Sequence, residues 1–184
     1  MFLSSSQPAM TRLLCVLFLT YPPLAAQAAA APVKTQAGAY APFVGRWEGA
    51  LEYQDYGGSG RVKVPVKLEV KQKDATSSSW DFVYDDFGRT VPSFETHSLT
   101  GNTYQVVFRG KSDVQKFTCA GFAALFSSGV GKAVLLGSEL ENGKNVEVRR
   151  TITLTVGTLT TLKETRLTGG KYAFRNQSVY TRAR

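Results

Sequence analysis

From residue 43 onward, apolar residues recur with a period of two. Val62, Val64, Val66, Leu68 and Val70 fall on one side, while Arg61, Lys63, Lys67, Glu69 and Lys71 fall on the other. Trp80, Phe82 and Tyr84 alternate with Asp81 and Asp85, and Tyr104, Val106 and Phe108 alternate with Gln105 and Arg109. Val146, Val148, Ile152 and Leu154 share a face, and Tyr172, Phe174 and Tyr180 share a phase near the end. Strict alternation is the signature of strands with one buried face, and no long amphipathic helix pattern interrupts it. Turn clusters separate the runs: Gly57-Gly58-Ser59-Gly60, Asp74 to Ser79, Gly101-Asn102, Glu141 to Lys144, Thr155 to Thr158 and Gly169-Gly170. Asn142-Gly143 between two such runs predicts a tight hairpin, because both central residues of that turn need positive φ.

The runs are too closely spaced for crossover connections, so hairpin-linked antiparallel strands follow. A long meander leaves two bare edges, and closure removes them. The pattern therefore predicts an all-β fold, a single up-and-down antiparallel barrel of about 8–10 strands over residues 43–184; an open two-sheet sandwich is the alternative. The stretch Phe117 to Val130, FTCAGFAALFSSGV, breaks the rhythm. It reads either as a buried strand and loop or as a short helix over one barrel mouth. Ala37 to Phe43 leads into the barrel and has the length for one closing turn of helix.

The first 30 residues have a different character. Arg12 is followed by the apolar run Leu13 to Leu19, then Pro22-Pro23 and the small-residue tract Ala25 to Ala31. That order predicts a secretory signal peptide over 1–30, with a linker or short closing segment at 31–42. The apolar run is too short to span a bilayer, which takes about 20 residues, so no transmembrane segment is expected after cleavage. Export to the periplasm is the expectation, with secretion beyond it left open. Cys15 departs with the signal and Cys119 stays alone, so the fold has to hold without an internal disulfide. Cys119 reads as a small buried hydrophobe rather than a reactive thiol. The formal charge of +8 is spread among acids, with Arg149-Arg150 the longest basic run. It supports attraction to anionic ligands but no nucleic-acid partner, and a monomer is expected.

Gly45-Arg46-Trp47 has the G-x-W form that opens the first strand of lipocalins and related calycin barrels. Trp47, Gly49, Leu51 and Tyr53 repeat a pattern similar to that of exported bacterial lipocalin-like proteins of unassigned activity. The resemblance implies that Trp47 points inward at a closed end, and that an Arg from the last strand, here Arg182, packs over it. Gly45, Trp47 and Arg182 are therefore expected to close the barrel.

Candidate chemistry is sparse. The one histidine, His97, is placed facing water if Phe94 faces inward, which disfavours haem; no cofactor is expected. Asp85-Asp86 cannot converge, because adjacent strand residues face opposite ways, and with one His and one mature Cys there is no zinc set. The informative anomaly is Arg150, which lies in the apolar row of Val148 and Ile152. A buried charge needs a partner or a ligand, and Asp55, in phase with Leu51 and Tyr53, is the first partner to test. The lumen candidates are Arg150, Asp55, Tyr53, Tyr84, Trp80 and Phe108. The expected function is non-catalytic binding of a small apolar or amphipathic ligand, anionic at one end. The alternatives are an interaction domain with a filled barrel and an exposed patch at Phe122 to Phe126, and a barrel enzyme using Asp55, Tyr84 or His97.

Overall fold

The computed structural model describes residues 38–184 apart from Tyr56 and Ser59; the side chains of Ala124, Phe126 and Ser127 are also outside the description. Residues 1–30, where a signal peptide is expected, therefore lie outside the described residues. A 3-10 turn at Ala41–Phe43 is followed by strands β1 (Gly45–Gln54), β2 (Arg61–Gln72), β3 (Ser77–Asp86), β4 (Arg89–Thr100), β5 (Thr103–Phe108) and β6 (Val114–Ala120). A short helix α1 (Phe122–Ser128) leads to β7 (Gly131–Glu141), β8 (Lys144–Thr155), β9 (Thr158–Arg166) and β10 (Ala173–Arg182). Each strand pairs antiparallel with its sequence neighbours, and β1 pairs with β10, closing a ten-stranded barrel. Among the described residues, no helix is long and apolar enough to cross a membrane.

The hairpins set the register. Asn142 and Gly143 both have positive φ (51° and 74°), as their two-residue turn between β7 and β8 requires. Phe87 and Gly88 (53° and 85°) do the same between β3 and β4. With Asp86 opposite Arg89, Trp80 faces Glu95 and Ser78 faces His97. Trp80 and Phe82 point inward, so Glu95 and His97 point inward with them. The expectation that His97 faces water is thus overturned: it is 6% exposed, and Phe94 lies instead on the outer face under the Arg109 guanidinium, 4.0 Å from the ring centroid.

One end of the barrel is plugged. Tyr40, Phe43, Tyr104, Phe122 and Trp80 form a cluster of tilted and stacked rings, with neighbouring centroids 5.3–6.3 Å apart. Trp47 is buried, and its indole N–H donates to the Phe43 carbonyl at 2.8 Å. The Arg182 guanidinium sits 4.3 Å from the Trp47 ring centroid and donates to the carbonyls of Val44 and Pro42, both at 2.8 Å. The two glycines flanking Trp47 have separate causes. Gly45 holds φ at +129°, and a Cβ at Gly49 would stand 1.9 Å from the Val179 carbonyl oxygen across the β1–β10 seam.

The segment after β6 is a helix with Phe122 and Leu125 buried, so these two residues contribute to the plug rather than to the exposed patch expected there. Near the C-terminus a bulge between Phe174 and Asn176 shifts the register. It turns Phe174 out of phase with Tyr180 and places it under Arg61, 3.8 Å from the guanidinium.

Candidate functional site

The plug fills only part of the interior. Above it lies a cavity of about 250 Å³. Its apolar wall includes Leu51, Trp80, Phe108, Leu135 and Ile152, and its polar lining includes Tyr84, Glu95, His97, Arg150, Lys163 and Asn176. Of the six lumen candidates, Arg150, Tyr84, Trp80 and Phe108 line this space. Tyr53 does not line it. Asp55 lies past the end of β1, where its carboxylate accepts the Gly57 N–H at 2.8 Å; it is not the partner of Arg150.

Arg150 donates to the Gln115 side-chain oxygen at 2.8 Å and lies 5.1 Å from the Phe117 ring centroid. Its Nε is buried and has no hydrogen-bond partner among the described residues. The other interior cations are better matched. Lys163 holds Glu139, and Arg175, inverted by the β10 bulge, holds Glu141 at 2.8 Å. Burial opposes ionisation of Glu141, but the hydrogen bonds and charge of Arg175, with Thr165 and Lys163, together outweigh it and keep its carboxyl below the usual range.

The floor of the cavity holds a linked set absent from the sequence-based candidates as a group. The His97 ring stacks on Trp80, with centroids 4.5 Å apart and planes 15° apart. Its Nδ1 lies 2.6 Å from the Tyr104 hydroxyl, and its Nε2 lies 2.8 Å from Glu95 Oε2. Burial pushes the Tyr104 phenol well above its ordinary range, so Tyr104 keeps its proton. The imidazole thus joins a neutral phenol at one ring nitrogen to the Glu95 carboxyl at the other. Burial likewise raises the Tyr84 phenol and pushes Tyr180 up to about 12. All three are neutral hydrogen-bonding groups at ordinary pH. The register from the Phe87-Gly88 hairpin was the signal that placed Glu95 and His97 inside; alternation along β4 alone misplaces them. Cys119 is half-buried and burial raises its thiol, which makes it a poor nucleophile. No group of three or more potential metal ligands converges among the described residues.

A closed antiparallel barrel with one plugged end and an open interior above it is a lipocalin-like architecture. Solved structures agree. The S-type phycobiliprotein lyase CPES from Guillardia theta matches over 79% of this chain and 90% of its own, with a TM-score of 0.53 and 12% sequence identity. At that identity the likeness is one of fold. No protein-family model matches the chain, and no curated protein matches it.

Proposed function

We propose that this protein is an exported, monomeric barrel that binds a small amphipathic anion in its lumen. The carrying observation is Arg150, an interior cation with a neutral amide as its hydrogen-bonding partner and a buried Nε left over. A cation with donors left over in a partly apolar wall is stabilised by a ligand anion. The open cavity speaks against a filled interaction domain. The fold shared with a phycobiliprotein lyase fits ligand handling inside such a barrel, and the N-terminal pattern supports export to the periplasm. Native mass spectrometry of the mature chain, purified gently from its own compartment, tests this. A stoichiometric small anion that is lost in Arg150→Met supports the reading. A clean apo mass together with indifference to Arg150→Met overturns it.

A second reading has its own observation. Glu95, His97 and Tyr104 form a hydrogen-bonded line beside the cavity, the arrangement that acid–base chemistry on a bound ligand uses. Recovery of a chemically altered ligand from the wild-type protein, and of an unaltered one from His97→Gln, would favour catalysis over carriage.

A further inference from the structure

Two groups of opposite charge type line the cavity, and each has hydrogen-bonding capacity left over among the described residues. Lys163 and Arg175 each hold a glutamate, which leaves Arg150 as the cation facing the cavity without a carboxylate. Glu95 also lines the cavity, and its one partner among the described residues is the His97 imidazole on Oε2. Its other oxygen, Oε1, accepts no hydrogen bond from them. Arg150 comes from β8 and Glu95 from β4, with the aromatic surface of Trp80 and Phe108 lining the same space. That volume, about 250 Å³, falls under the roughly 300 Å³ at which cavities begin to take drug-sized molecules.

Building on the anion-binding reading, we infer that the lumen selects a one- or two-ring aromatic acid that also carries an N–H or O–H donor, its anion at Arg150 and its donor at Glu95. A simple alkyl acid satisfies Arg150 and leaves Glu95 as it was. A flat ring system fits the aromatic wall, and a donor on that ring supplies what the Glu95 carboxylate lacks. Hydrogen bonds to charged groups are the strong ones, and a site built around one discriminates against an analogue lacking the donor.

The test is calorimetric titration of the mature chain with two acids of matched size and shape, indole-3-acetate and benzofuran-3-acetate, which differ by N–H against O. Indole-3-acetate should bind about 10-fold tighter. Glu95→Gln should bring the two within about 2-fold of each other, while Arg150→Met should weaken both by a similar factor of about 10. Near-UV circular dichroism confirms that the variants fold. If Glu95→Gln does not fold, Glu95→Asp, which draws the carboxylate back by one methylene, should show the same loss of preference. Equal affinities for the two acids, or a preference that survives both Glu95 variants, overturns the inference. If benzofuran-3-acetate binds as well as the indole and Arg150→Met weakens both, the anion-binding function stands and this inference falls. If neither acid binds, the inference falls as well, and the native mass spectrum decides the function separately.

Discussion

Two arginines, one exposed at the plugged end and one in the cavity wall, show how differently this barrel treats its parts. Arg182 lies over Trp47 and spends its donors on two backbone carbonyls of the incoming chain. Arg150 lies over Phe117 with one neutral amide partner and a buried Nε that has none. Each guanidinium sits over an aromatic face, a favourable contact in its own right. The first belongs to a plug in which ring packs on ring and the polar tips reach carbonyls. The second belongs to a wall whose hydrogen-bonding capacity is left partly unused. The difference separates stability from binding: a guanidinium whose donors are taken by the chain has little left for a ligand.

The sharpest way to break the comparison is to remove the plug. Trp47→Ala should cost about 3–5 kcal/mol of stability in urea unfolding, because a fully buried indole leaves a void that neither the 3-10 turn nor α1 fills. A loss under 1 kcal/mol would mean that the closed end does not hold the fold.

Alkaline pH loads both halves at once. Tyr180 holds its proton up to about 12 in the folded state, against about 10 when unfolded. The folded protein therefore carries the extra proton between those values. The corresponding stability is fully present below pH 10 and is lost as pH rises through about 12, at about 1.4 kcal/mol per pH unit for each such phenol. Unfolding midpoints measured from pH 8 to 11.5 should fall steeply above 10, and Tyr180→Phe should flatten that limb by about one proton.

The two arginines themselves should differ in sign. Arg182→Ala should cost about 1 kcal/mol, since the contact is solvent-exposed. Arg150→Met should cost nothing or add up to about 1 kcal/mol in the absence of ligand, because it removes a half-buried charge whose hydrogen-bonding partner is a neutral amide and whose buried Nε has none. Parallel urea melts of both variants check this, and equal losses would erase the distinction between plug and wall.

The smallest effect lies in acid. Glu141 is held below its usual 4.5 by Arg175. The stability it contributes is present above that value and fades as pH falls through the lower, folded one. Glu141→Gln should shallow the acid limb of a pH–stability curve without moving its alkaline limb.

Period two made the strands readable, and the spacing of turn residues made the meander readable. Closure followed from the absence of any other way to cover two edges. G-x-W and Arg182 marked the plugged end, and Arg150 stood out because it interrupts an apolar row. Two things were hidden and one was left open, each for a physical reason. Helix α1 stayed one of two readings because it has too few residues for a helical period to show against its apolar neighbours. The β10 bulge at Arg175 adds one residue and reverses phase, so Phe174 reads as inward while it lies outside. His97 was misplaced because β4 carries Phe94 on its outer face beneath Arg109. A strand with an aromatic outside and a carboxylate inside inverts the usual reading, and only its pairing with Trp80 on β3 corrects it.

The β1–β10 seam has a consequence in time rather than in space. Trp47 pairs with Arg182, so the contact that completes the barrel joins the first strand made to the last. Pairings this remote are slow to form. Throughout synthesis β1 waits with one row of amides and carbonyls open, beside the cramped Gly49 whose missing Cβ keeps the place free for Val179. A chain ending anywhere before Ala173 never receives the strand that fits there. Such truncations should form aggregates through the orphaned edge rather than a smaller barrel.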